Sequence, residues 1–145
     1  MDAKQTMEKL RELKACPESL AWAKGKAIAG IWDECHRGSW LLWIEGKMWN
    51  FTEAQKAQYL AQASSIDAEY LVRMAENHAG FKSRRALIDA KFHRPINADV
   101  RYDRQRSPLH SEYMDKILST NAEFEQRRAY LIRKIVPNPF AEKGN

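Results

Sequence analysis

Residues 27–49 read AIAGIWDECHRGSWLLWIEGKMW, and this stretch decides the fold. Ile28, Ile31, Trp32 and Cys35 recur at i, i+3, i+4 and i+7, the spacing that lines one face of an α-helix. Gly38 is expected to end that helix, and Ser39 to cap a short one over 40–48. In the second helix Trp40, Leu41, Leu42, Trp43, Ile44 and Met48 leave almost no polar side, as in a helix enclosed by protein. Trp22, Trp32, Trp40 and Trp43 are read as core, and Trp49, at a helix end, as the least enclosed of the five tryptophans.

Working outward from there, Ala3, Met7, Leu10 and Leu13 predict a helix over 2–14. Pro17 starts the next, which carries Leu20 and Trp22 and stops at Gly25. Downstream, Thr52 and Gln55 form a capping-box pair for a helix starting at Glu53. Its expected core face is Ala57, Leu60, Ala61, Ala68, Leu71 and Ala75, running to about His78, with a break near Ser64, Ser65 and Asp67. Gly80 punctuates the chain before a basic helix over 82–92. Arg94-Pro95 ends that helix, and 96–106 shows no helical period and reads as a connection.

Ser107-Pro108 looks like an N-cap followed by proline at the first helical position. It opens a long helix over 108–135 whose apolar face is Met114, Ile117, Leu118, Phe124, Leu131, Ile132 and Ile135. Asn121 and Arg128 interrupt that face. The row Met114, Ile117, Asn121, Phe124, Arg128, Leu131 and Ile135 steps alternately by three and four, which is heptad spacing and suits either self-association or packing on the helices of 53–78. Pro137 and Pro139 stop the helix, and 141–145 reads as a frayed tail. With three valines in the chain, no strand pattern competes. The fold class is therefore all-α: a compact bundle of about six helices with a long C-terminal helix, in a single helical domain over 1–140.

Composition agrees. With 145 residues, 44% apolar and 30% charged, the chain is of globular type. Its formal net charge is +5, and 82–106 alone holds eight cations against three acids. Cys16 and Cys35 are too few for a disulfide framework. The opening Met1-Asp2-Ala3-Lys4 mixes charges and has no apolar run, and no stretch has transmembrane length. A cytoplasmic protein with reduced thiols is expected.

Signatures of catalysis are missing. There is no P-loop, dinucleotide-binding glycine pattern, HExxH, CxxC or nucleophile elbow. In Asp33-Glu34-Cys35-His36 the thiol and imidazole are adjacent, hence about 100° apart on a helix and not facing each other. Cys35 reads as core and His36 as a surface residue near a helix end. The histidines His36, His78, His93 and His110 form no metal-ligand spacing. No catalytic residue, metal site or cofactor is expected. The segment with most functional content is the basic one: Lys82, Arg84, Arg85, Lys91, Arg94, Arg101, Tyr102, Arg104 and Arg106. An aromatic among arginines suits a protein partner, and equally a nucleic acid. A solvated face is the third reading.

One stretch also resembles a known module. Ala15-Cys16, Leu20-Ala21-Trp22 and Ile31-Trp32-Asp33-Glu34-Cys35-His36-Arg37-Gly38-Ser39-Trp40-Leu41-Leu42-Trp43-Ile44 resemble the Imm-5-like immunity-protein group of bacterial toxin–immunity loci and prophage-type proteins. The family has Asp where Ser39 stands; either residue caps a helix. The resemblance covers 15–48, about a quarter of the chain. It implies a helical scaffold without catalytic activity and, loosely, stoichiometric binding of a toxin or similar protein. The resulting expectation is a protein-binding inhibitor or adaptor of bacterial or phage origin, of immunity or anti-defence type.

Overall fold

Six α-helices follow one another in the computed structural model, which describes residues 1–91 and 99–141 and the side chains of 1–91, 104 and 106–141. They are α1 (Ala3–Glu12), α2 (Pro17–Ala23), α3 (Ile28–Glu34), α4 (Gly38–Met48), α5 (Glu53–Lys91) and α6 (Asp99–Ile135). No strand occurs among the described residues. The fold is all-α, with the long C-terminal α6 packed against α5. The chain divides into two units: Met1–Ser64 with Glu125–Asn145, and Ser65–Phe124.

The first unit is built on local signals that the sequence carries openly. Asp2 and Gln5 make a capping box at α1, with reciprocal hydrogen bonds of 2.8 and 3.0 Å. Pro17 stands at the first turn of α2, and Gly25 follows that helix with φ +80°, a conformation glycine adopts without strain. Thr52 and Gln55 exchange backbone-to-side-chain bonds of 3.2 and 3.0 Å at the start of α5. The stripe Ile28, Ile31, Trp32 and Cys35 is buried throughout and meets Leu41 and Ile44 of α4 and Ile132 of α6 in one core. The Trp32 ring makes edge contacts with Trp49 and Phe140, at 6.2 and 5.9 Å between centroids.

Distant residues finish the helix ends of this unit. α3 stops at Glu34, short of Gly38, which instead is the first residue of α4. Arg133 donates to the carbonyls of Trp32 and Cys35, placing a cation on the orphan acceptors at the end of α3. Asn138 donates to Ala29 O at 2.9 Å. Ser39 does not cap α4 with its hydroxyl; its backbone N–H is satisfied at 2.9 Å by the Glu125 carboxylate, which is an N-cap supplied from α6. Gly38 is needed because α4 and α6 cross there. A Cβ would collide with Arg128 Cβ and lie 3.1 Å from the Ala129 backbone nitrogen.

The second unit is an antiparallel pair of helical segments. α5 is continuous through both expected breaks. The Ser64 hydroxyl donates back to Ala61 O at 2.8 Å rather than capping a new helix. Gly80 sits mid-helix, where it costs about 1 kcal/mol; its neighbours Asn77, His78 and Phe81 all hold contacts to α6. α6 likewise starts at Asp99, not at 108, and Pro108 lies inside it. Arg101, Arg104, Gln105 and Arg106 are good helix formers, and buried Leu109 fixes the turn that follows. Interior proline withholds one N–H and costs about 3 kcal/mol, so the flanks rather than residue 108 keep this turn helical. Residues 92–98, with Arg94-Pro95 and the expected end of the basic helix, and the tail 142–145 lie outside the described residues.

Contacts down the seam are mostly directional. Tyr70 OH donates to Asn121 Oδ1 at 2.6 Å, and Asn77 Nδ2 to Thr120 Oγ1 at 3.0 Å. Arg73 pairs with Glu123, and Phe81 stacks on Tyr113 at 4.3 Å. Ile117, Asn121 and Phe124 of the heptad stripe thus face α5 within the chain, while Met114 and Leu118 remain exposed.

Candidate functional site

The expected core face of α5 is its outside. Ala57, Leu60, Ala61, Ala68, Leu71 and Ala75 are all exposed. Instead Tyr59 and Ala63 are buried, and Ile66, Tyr70, Arg73, Met74, Asn77 and Phe81 are half-buried. At 100° per residue the two stripes lie about 150° apart on the helix. Period alone could not choose between them. The aromatic content of the second stripe was the available signal, because Tyr and Phe bury more surface than Ala.

This reversal leaves apolar side chains in solvent within the second unit. Leu71 is 66% exposed and Val72 58%. Ala68, Ala75, Ala79 and Ala86 continue the same face, and exposed Lys82 lies in line with them. Sequence reasoning missed Leu71 and Val72 as surface residues because it assigned Leu71 to the core.

The basic segment is only partly a patch. Lys82, Arg84, Arg85 and Lys91 occupy the last turns of α5, and Arg104 and Arg106 lie on α6. Arg94 is outside the described residues, as are the side chains of Arg101 and Tyr102. Arg84 bonds Glu112 at 2.7 Å, and Lys116 approaches the same carboxylate at 3.6 Å. The Arg84 hydrogen bond holds the Glu112 carboxyl below the usual carboxylate range, and the same bond raises Arg84. Arg85 pairs with Asp89 at 3.8 Å. Lys82, Lys91 and Arg104 are exposed, while Arg106 is half-buried and engaged. Two of these arginines therefore already answer acids of their own chain.

The remaining reactive groups are dispersed. Cys35 is buried, its thiol pushed up by burial; Cys16 is exposed, its thiol lowered chiefly by the Ser19 side-chain hydrogen bond. His36 is exposed on the loop after α3. His78 Nδ1 lies 3.4 Å from Tyr113 OH, and His110 meets the edge of Phe81. Among the described residues no group of three or more His, Cys, Asp or Glu side chains is placed to hold a metal, and no helix is long and apolar enough to cross a membrane. No protein-family model, curated protein or solved structure matches the chain.

Proposed function

We propose that this chain is a non-catalytic protein-binding module, an inhibitor or adaptor that acts by stoichiometric association, and that the outer face of α5 in the second unit is its docking surface. The observation that carries the reading is the exposed pair Leu71 and Val72 on an alanine-rich face with Lys82 in line. Small side chains let a partner's backbone approach closely, and two aliphatic anchors with a cation at the margin are the ingredients of an interface core and rim. The likeness of 15–48 to an immunity-protein module supports the same class and suggests a bacterial or phage setting. A nucleic-acid surface is the weaker reading, because Arg84 and Arg85 are paired with Glu112 and Asp89, and each pair must be broken before a phosphate is met.

The test is a pull-down from bacterial lysate, with and without nuclease treatment, using three baits: the natural chain, Leu71→Glu with Val72→Glu, and charge reversal at Arg101, Arg104 and Arg106. The reading expects a protein retained by the natural chain at high salt and released by the double leucine–valine variant, with helical content unchanged by circular dichroism. Retention that requires nucleic acid, falls steeply with salt and disappears only on charge reversal would replace it with nucleic-acid binding.

A further inference from the structure

A cavity of about 260 Å³ opens in the first unit, walled by Trp22, Trp40, Trp43 and Ile31, with Lys14, Cys16 and Ser19 among its polar groups. An apolar protein cavity of about 150 Å³ takes up benzene, so this one has room for two fused rings. Its indoles are half-buried, and apolar wall left wet in this way is stabilised when a flat apolar guest displaces the water.

Charge selects among such guests. The cavity is lined by one charged residue, Lys14, and by no acid. Lys14 has no ion pair among the described residues. Glu18, two residues after Cys16 in the chain, is already bonded to Arg37 at 2.6 Å. A cationic guest seeking the indole faces would meet cations already there: Lys26 lies 5.1 Å from the Trp22 ring and Arg37 4.6 Å from the Trp40 ring. Lys14 itself stands at φ +60°, the only non-glycine residue with positive φ among those described. That is the C′ position of α1, where the Lys14 and Ala15 N–H groups close the helix on the Arg11 and Leu10 carbonyls at 3.0 and 2.9 Å, and glycine is the unstrained residue there.

We propose that this cavity binds a compact aromatic carboxylate, its rings between Trp22, Trp40 and Trp43 and its carboxylate at the Lys14 ammonium. This site is separate from the α5 face and does not depend on the protein-binding reading.

The test uses three probes that share one ring system and differ in charge: 2-naphthoate, 2-naphthalenemethanol and 2-naphthylmethylammonium. Each is titrated calorimetrically into the full chain, and Cys16 alkylation by iodoacetamide is followed by mass spectrometry with and without probe. The expected result is one-to-one binding in the order carboxylate, alcohol, ammonium, with Cys16 protected by the carboxylate. Lys14→Gly should weaken naphthoate about fivefold, the limit for an exposed charge pair, and leave the alcohol unchanged. That variant suits the backbone at this position; Lys14→Asn, also tolerant of positive φ, should reproduce the loss. No binding by any probe, equal binding by all three, or undiminished naphthoate affinity in both Lys14 variants would overturn the proposal.

Discussion

The two units are held together by different physics. In the first, the largest fully buried side chains include Trp32, Ile28, Leu41, Ile132, Thr6 and Cys35, drawn from α1, α3 with its C-cap, α4 and α6. In the second, Leu109, Thr120 and Phe124 are the buried ones among the described residues, and the seam is otherwise half-buried, with hydrogen bonds and ring contacts along it. Burial of apolar surface adds up without regard to direction. A seam of hydrogen bonds gains only about 1 kcal/mol per bond, because water competes for each group. The contrast indicates that the first unit resists opening, whereas the second is specified by geometry and opens more readily. It also keeps an apolar face in solvent, where a partner can reach it.

The largest expected effect comes from breaking the first unit. Trp32→Ala should cost about 3–5 kcal/mol, measured as a shift in the urea midpoint. A loss under about 1 kcal/mol would mean that the buried stripe does not organise this core. A smaller version of the same test is Gly38→Ala. The added methyl meets Arg128 Cβ and the Ala129 backbone, so α4 and α6 must shift apart, at about 1–3 kcal/mol as for other overpacked sites.

The second unit should respond more weakly to its own lesions. Tyr70→Phe deletes the bond to Asn121 and keeps the ring contact with Phe124 at 5.3 Å; about 0.5–1.5 kcal/mol is expected. Hydrogen exchange sharpens the comparison here. Amides of α3 and α4 should outlast those of α5 residues 65–91, and Tyr70→Phe should speed exchange in 65–91 alone. Uniform acceleration in both units would show that they open together.

The smallest effect separates the two thiols. In the folded chain iodoacetamide should label Cys16 and spare Cys35, which becomes reactive on unfolding. Because burial raises the Cys35 thiol, the stability it contributes is fully present below the ordinary thiol range. It falls as pH rises through that range, since the unfolded thiol ionises first. Cys35→Ala should flatten that alkaline decline, as read from urea midpoints on both sides of the thiol range.

Much of this was legible in the residues. Helix class, the capping pair Thr52–Gln55, the stops at Gly25 and Pro137, and the stripe through Trp32 all rest on interactions within a few positions of the chain, and local spacing reports those directly. The reading failed where the deciding partner was remote. Gly38 and Ser39 looked like a stop and a cap, yet their roles come from Arg128 and Glu125, close to ninety residues away. Gly80 and Pro108 looked like boundaries, yet both lie inside helices whose contacts outweigh their propensities. Of the candidate site, the basic segment was visible as a charge count. That Arg84 and Arg85 are already paired, and that Leu71 faces solvent, was not.

By itself the sequence determined an all-α chain, the identity of most helices, and which face of α3 would be buried, because that helix has a single apolar stripe. α5 has two, and period carries no information about which of them will find a partner. Only the tertiary structure decided that Tyr70, Asn77 and Phe81 turn inward while Leu71 and Val72 stay in water. The physical reason is that the inner choice depends on side chains of α6, such as Asn121, Thr120 and Tyr113, whose hydrogen bonds and ring contacts fit one face of α5 and have no counterpart on the other.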